Sequence, residues 1–115
     1  PYRDDVNRMV REYIIARGFE VPVFGSFNEE NDNTVARISA QSLRTAILEI
    51  GRRDEVDAVF LSCTSLRLAG AVTSIEQELD KPVTSSNHAL IWHTLRLAGI
   101  DEPIGGFGRL YQLPD

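Results

Sequence analysis

The sequence predicts an α/β fold with a doubly wound parallel sheet. Helix-like and strand-like patterns alternate along its 115 residues, the order found where parallel strands are joined by helices. An unbroken apolar run at residues 58–61 suits a strand that is covered on both faces. The composition, 43% hydrophobic and 25% charged, is typical of one globular domain. We therefore expect a single α/β domain over residues 1–115.

Four helices are predicted from apolar residues that recur every three or four positions. They cover residues 4–18, 40–51, 68–79 and 87–98. Ser39 is expected to cap the second helix, and Ser86 or Asn87 the fourth. The apolar stripe of the first helix consists of Val6, Met9, Val10, Tyr13 and Ile14. The stripe of the fourth helix, expected to face the sheet, consists of Leu90, Ile91, Thr94, Leu95 and Ala98.

Three short strands are predicted between these helices. They cover residues 20–24, 58–61 and 82–84. The first is expected near an edge of the sheet, since Pro22 has no N–H for the strand ladder, and the strand at 58–61 is expected to be central. Residues 28–34 are all polar and are predicted to form a loop. Because doubly wound units normally begin with a strand, we expect this unit to lack its first strand, which would precede Pro1.

Charge and hydropathy exclude several classes of partner. The net charge is −5 and the basic residues are scattered, so neither nucleic acid nor an anionic membrane surface is an expected partner. No apolar run approaches the roughly 18 to 20 residues of a membrane span, and no signal pattern is present at residues 1–5. We therefore predict a cytoplasmic protein. A small carboxylate is still a suitable ligand, because local amides and helix amino ends can bind it.

Cys63, the single cysteine, is the strongest candidate for chemistry. It follows the predicted strand at 58–61, the position where open α/β sheets bind ligands. A helix is expected to begin immediately after it, and the amino end of a helix favours a thiolate and a bound carboxylate. Thr64 and Ser65 add hydroxyl donors beside it. The alternative is an unreactive core residue, because free cysteine is among the most buried residue types.

The other polar candidates have simpler interpretations. His88 and His93 are five positions apart, which is not the spacing that places two imidazoles on one helix face for a metal, so both are read as structural. No metal or organic cofactor is predicted. Asn31 and Asn33 lie in the polar loop, where turn formation explains them. Arg67 is read as a solvated helix residue rather than a carboxylate clamp.

Three segments carry a resemblance to a known family. They are Phe-Leu-Ser-Cys-Thr-Ser-Leu-Arg at 60–67, Lys-Pro-Val-Thr-Ser-Ser-Asn-His-Ala at 81–89, and Trp-His-Thr-Leu-Arg-Leu-Ala-Gly-Ile at 92–100. Together they resemble the maleate cis-trans isomerase and arylmalonate decarboxylase branch of the Asp/Glu racemase superfamily. The resemblance extends over the whole chain. Ser65 departs from the asparagine expected after the family's Ser-Cys-Thr, so the ectoine-utilisation branch, which shares these motifs, also stays open.

The resemblance implies a flavodoxin-like or Rossmann-like C-terminal half of a two-domain enzyme. In this family the active site lies between two similar halves, each of which usually offers a cysteine to a carboxylate substrate. Cys63 would be the catalytic thiol, Tyr2 a hydrogen-bond donor to the substrate, and Asn31 or Asn33 a further polar contact. The N-terminal half would be missing from this chain. The apolar surface that meets it would then be exposed, which predicts self-association into a homo-oligomer.

The expected function is a cofactor-independent isomerisation of a small dicarboxylate, of the maleate-to-fumarate type. Cys63 would act as the acid and base, with Thr64 and Ser65 holding the substrate. Arylmalonate-type decarboxylation and amino-acid racemisation are the alternatives within the superfamily. A catalytically silent half that binds a carboxylate is the alternative from another class of protein.

Overall fold

The computed structural model describes all residues from 1 to 115. Its helices are α1 (Asp4–Ala16), α2 (Asp32–Val35), α3 (Ala40–Gly51), α4 (Val72–Leu79) and α5 (Ser86–Leu97). Its strands are β1 (Val59–Leu61) and β2 (Val83–Ser85), and short 3₁₀ turns cover Ala69–Ala71 and Leu110–Gln112. None of the helices is long and apolar enough to cross a membrane. The predicted α/β class is confirmed, and the predicted long helices are all present.

The sheet consists of two parallel strands joined through α4. Val59 pairs with Val83 and Leu61 with Ser85, so both strands end at the same level. The strand predicted at 20–24 is wrong, although residues 20–24 belong to neither helix nor turn. No other strand bonds to their backbone, and Pro22 lacks a donor of its own. The strand predicted at 20–24 is therefore absent because no neighbouring strand pairs with it.

The core lies between the sheet and the helix pair α3 and α4. Val59 and Val83 point from the sheet into a cluster of side chains from both helices. The members contributed by the helices are Ile47, Leu48, Val72, Ile75 and Leu79. Each buried side chain of this kind contributes about 1.5–3 kcal/mol relative to an exposed one. The second and third long helices predicted from apolar periodicity thus pack an apolar face on the sheet. The predicted cap Ser39 is also confirmed, because its Oγ accepts from the Ser42 N–H.

The opposite face of the sheet is partly open. Side chains alternate along a strand, so Phe60 points away from the core of α3 and α4, and it is 48% exposed. The expectation that residues 58–61 form a central strand covered on both faces is therefore wrong. β1 has one strand neighbour, β2, so it is not flanked by strands on both sides.

The carboxylate of Glu76 on α4 joins three parts of the fold. It is buried, its Oε1 accepts from the Val83 N–H at 2.9 Å, and its Oε2 accepts from the Arg109 N–H at 2.8 Å. The Val83 N–H thus points away from β1, and Glu76 accepts it at the outer edge of β2. One carboxylate thereby fixes α4, β2 and the C-terminal segment together.

The face of α5 that packs inward differs from the predicted one. Leu90 and Ile91 are 61% and 51% exposed, whereas His88 and Arg96 are buried. The C-terminal segment determines which face of α5 points inward, because the Arg96 guanidinium donates to backbone carbonyls that follow the helix. The carbonyls belong to Ile100, Tyr111 and Leu113. These partners are polar, so an apolar stripe could not indicate them.

Three helices differ in detail from the sequence prediction, two at their amino ends and one in its exposed face. The cap of α5 is Ser85, whose Oγ accepts from the His88 N–H, and neither Ser86 nor Asn87 fills this role. The polar loop predicted at 28–34 contains the short helix α2, because Asn31 caps it. In α1, Met9 is exposed, as is Tyr13, and the helix is fixed through a buried asparagine. The Asn7 side chain donates to the Tyr2 carbonyl and to Ser26 Oγ.

Gly51 provides a test of how tightly α3 packs on the core. A Cβ added there would lie 2.7 Å from Leu79 Cδ1 and 3.1 Å from Val59 Cγ2. We expect Gly51→Ala to lower the free energy of unfolding by about 1–2 kcal/mol through this overpacking. Urea unfolding measures it. Gly70→Ala is the matched control, because a Cβ there meets no atom within 4 Å; equal stability of the two variants would contradict the close packing.

Candidate active site

The candidate site lies where the two parallel strands end. Cys63 follows β1 and Ser86 follows β2, and the Cys63 N–H donates to Ser86 Oγ at 3.1 Å. The Asn87 side-chain amide donates to the Thr64 carbonyl at 2.7 Å. The carboxyl edge of this sheet therefore brings together a thiol and several hydroxyl and amide groups, at the place where α/β sheets bind ligands.

The helix amino end beside Cys63 belongs to α5 and not to the next helix in the chain. The expectation of a helix immediately after Cys63 is wrong, since α4 begins only at Val72. The intervening loop is fixed by burial of Leu66 and Leu68, which draws the chain into the core before the helix starts. The partial positive charge near Cys63 is thus supplied by the first turn of α5.

Cys63 has an unusual backbone and a buried thiol. Its φ is +125°, a region that non-glycine residues rarely adopt and that costs on the order of 1–3 kcal/mol. The side chain is 7% exposed and packs with Val35, Leu43 and Leu66. The Ser65 N–H donates to Sγ at 3.4 Å. Burial alone suits a packing cysteine, whereas a strained backbone held by polar contacts is typical of functional sites.

Tyr2 reaches the same site from the start of the chain. Its hydroxyl shares a hydrogen bond with Ser62 Oγ at 3.1 Å, and its ring packs against the cluster that contains Cys63. Burial raises the pKa of Tyr2, negative charge on Cys63 raises it further, and the bond to Ser62 opposes both. The phenol therefore stays protonated at neutral pH and can donate a hydrogen bond to an anion.

Asn31 and Asn33, the other predicted site residues, belong to the short helix α2 and its cap. Asn31 uses its side-chain oxygen to accept from the N–H groups of Asn33 and Thr34, so this oxygen serves as the cap of α2. Asn33 is exposed, and its backbone N–H donates to the Asn31 side chain. Their helix nevertheless lies beside the site, because its last residue, Val35, packs in the cluster of Cys63.

A cleft of about 290 Å³ opens beside Tyr2 and Val35, which both pack with the cluster that contains Cys63. Its lining consists of Pro1, Tyr2, Arg3, Val6, Glu29, Glu30, Asp32 and Val35. Three of these residues are acidic and one is basic, so the cleft has an electrostatic character that disfavours a dicarboxylate. The amides and hydroxyls around Cys63 form the better anion site.

Ser86 and Asn87 are site residues that the sequence patterns indicated only as helix caps. Ser86 and Asn87 have the composition of a helix cap, which concealed their contacts with Cys63 and Thr64. The signal that could have found them is topological, because neighbouring parallel strands end at the same edge of a sheet. The residues after β2 are therefore expected to lie close to those after β1.

His88 has a structural environment, as the sequence predicts. It is fully buried, its Nε2 donates to the Phe107 carbonyl at 2.7 Å, and its Nδ1 bonds to the Thr84 hydroxyl at 3.0 Å. His93 is exposed at the other end of the same helix. The structure contains no group of three or more His, Cys, Asp or Glu side chains arranged to hold a metal ion.

Comparison with known proteins identifies the family. The fold is that of Asp/Glu racemase-like structures, in agreement with a parallel sheet that carries a thiol at its carboxyl edge. The arylmalonate decarboxylase family model matches residues 1–111. The chain therefore belongs to the arylmalonate decarboxylase family, and the resemblance found in the sequence is confirmed at this level.

Three relatives illustrate the similarity. The chain is 28% identical over 112 residues to an arylmalonate decarboxylase from Bordetella bronchiseptica and 25% identical over 111 residues to a maleate isomerase from Alcaligenes faecalis. Each match covers 96% of this chain but only 47% and 44% of those proteins, so the chain spans about half their length. A crystal structure of a variant of the maleate isomerase Iso from Pseudomonas putida S16 with maleate matches 97% of this chain and 45% of its own, with 27% identity and a TM-score of 0.88.

Proposed function

We propose that this chain is one half of a cofactor-independent enzyme that isomerises maleate to fumarate, with Cys63 as its acid and base. The observation that carries the proposal is the thiol at the carboxyl edge of β1, with the Ser65 N–H directed at its sulfur. A relative named maleate isomerase and a relative crystallised with maleate support the choice of substrate. The cytoplasmic location and the homo-oligomer stay predictions.

The proposed reaction needs two thiols on opposite sides of the substrate. A thiolate from the other half adds to one alkene carbon of maleate, and the electron pair moves to the neighbouring carbon and its carboxylate. The Cys63 thiol gives that carbon a proton, which leaves a single bond that can rotate. After rotation the Cys63 thiolate removes the proton, and the double bond reforms as the first thiolate leaves. No metal or organic cofactor enters these steps.

The residues around Cys63 suit the charge that develops on the substrate carboxylate. Thr64 and Ser65 offer hydroxyls, and the Tyr2 phenol remains a donor because burial keeps its pKa raised. Donors fixed before the reaction stabilise an enediolate without the cost of reorganisation. We assign Tyr2, Thr64 and Ser65 to substrate binding on this basis, and Asn31 or Asn33 to a more distant polar contact.

Decarboxylation of an arylmalonate is the second candidate. The family model and the Bordetella bronchiseptica relative favour it, since both are named for that reaction. Carbon dioxide would leave first, and the Cys63 thiol would then protonate the resulting enediolate. This route uses the same proton donor and needs no second thiol, so the two candidates differ in the group that faces Cys63.

An assay of the full-length gene product separates the two candidates. Maleate and phenylmalonate are supplied in parallel, and fumarate, phenylacetate and carbon dioxide are quantified. We expect fumarate to form from maleate and little carbon dioxide to form from phenylmalonate. Release of carbon dioxide with no fumarate would establish the decarboxylase, and no product from either substrate would favour a silent binding half.

A further inference from the structure

We propose that Ser86 and Asn87, the first two residues of α5, are positioning residues for the thiol of Cys63. The inference rests on the proposed role of Cys63 as a proton carrier and extends it to residues of a second strand end. Ser86 Oγ accepts from the Cys63 N–H, and the Asn87 amide donates to the Thr64 carbonyl. The first bond holds the peptide group that precedes Cys63, and the second holds the peptide group that follows Thr64.

The backbone at Cys63 needs such a restraint. A residue with a Cβ relaxes from a φ of +125° to an ordinary negative value unless surrounding contacts prevent it. Rotation about this φ turns the peptide group before Cys63 relative to the chain that follows it. The bond to Ser86 anchors the side before the torsion and the bond from Asn87 anchors the chain after it, so the two bonds together oppose the rotation.

The restraint has a consequence for the sulfur. The Ser65 N–H reaches Cys63 Sγ across two residues, so this contact depends on the backbone conformation at Cys63 and Thr64. A hydrogen bond from a backbone amide stabilises the charged form of an acceptor, so the Ser65 N–H is placed to stabilise the thiolate that forms when Cys63 gives its proton to the substrate. Loss of the restraint would therefore take this donor away from the sulfur.

The start of α5 is a firm support for this loop. Ser85 caps the helix, and buried His88 is bonded through its ring to Thr84 and to the Phe107 carbonyl. The Tyr111 hydroxyl also donates to the His88 carbonyl. Ser86 and Asn87 thus project from a turn that is fixed on several sides, whereas the residues around Cys63 belong to a loop.

The test is the pH dependence of Cys63 alkylation in the full-length gene product. Iodoacetamide is applied at about pH 7 and about pH 10, and modification of the peptide that contains Cys63 is followed by mass spectrometry. The ratio of the two rates cancels differences in access and reports the fraction of thiolate. We expect this ratio to fall about threefold or more in Ser86→Ala and to be preserved in Ser86→Thr, which retains the hydroxyl. Asn87→Ala, a second and independent variant, is expected to lower it as well.

Ser85→Ala is the matched control. It removes the cap of the same helix and lowers stability, but it leaves the bonds to Cys63 and Thr64 in place, so the alkylation ratio should not change. An unchanged ratio in both Ser86→Ala and Asn87→Ala, or an equal fall in Ser85→Ala, would overturn the positioning role. Because the measurement uses no substrate, failure to isomerise maleate would refute the proposed function without touching this result.

Discussion

Replacement of Cys63 with alanine is expected to slow the isomerisation of maleate by the full-length gene product by about 10²- to 10⁴-fold, the usual contribution of a positioned acid and base. The substitution removes the proposed proton carrier at the carboxyl edge of β1 and leaves the Ser65 N–H and the Tyr2 hydroxyl in place. Substrate binding should therefore change less than turnover. Steady-state kinetics separate the two, because the loss should appear in kcat more than in KM.

The fold should survive this substitution. Cys63 is buried but small, so removal of its sulfur should cost no more than about 1–2 kcal/mol of unfolding free energy. Urea unfolding of the variant verifies this, and Ser74→Ala, which removes an exposed hydroxyl on α4, is the control for activity. Full activity in Cys63→Ala would make Cys63 a packing residue, and a carboxylate-binding half without catalysis would then be the better account.

Glu76→Gln is expected to lower the free energy of unfolding by about 3 kcal/mol, the largest effect on stability among the substitutions considered. Both carboxylate oxygens accept backbone N–H groups in a buried position. A glutamine keeps one acceptor, and its NH₂ group is directed at the other N–H, so one buried donor loses its partner. Urea unfolding measures the change, with Glu78→Gln as the control.

Glu78 is a suitable comparison because its carboxylate pairs with Arg44 and Arg52 near the surface of the same helix. Exposed ion pairs contribute about 0–1 kcal/mol, so Glu78→Gln should have a small effect. Equal losses in the two variants would mean that the helix α4, and not the buried carboxylate, determines the stability of this region.

The helices that pack on the sheet could be predicted from the sequence because their signals are local. The apolar face of α3 packs on one apolar layer, and Ser39 caps the helix through the N–H of Ser42, three residues away. α5 could not be predicted in the same way. Its inward face is chosen by the distant C-terminal segment through Arg96, and polar contacts over that separation leave no periodic pattern.

The position of Cys63 in the candidate site could be predicted from the sequence, whereas its contacts with residues of other elements could not. Cys63 follows from one rule about where parallel strands end, whereas its contact with Ser86 depends on the register of β1 and β2. The strand expected at 20–24 failed for a related reason, because a strand is defined by its neighbour. Asn31 had two possible roles, and the structure assigns its oxygen to a helix cap.

The carboxylate of Glu76 also determines where the sheet can grow. An unpaired strand edge recruits other strands, whether in native assembly or in aggregation. On β2 the outward N–H of Val83 is already occupied by Glu76, so that edge is protected by a side chain. β1 has no comparable protection beside Phe60, and its outer edge is where a further strand, from this molecule or another, would add. The same two-stranded sheet is thus closed to association on one side and receptive on the other.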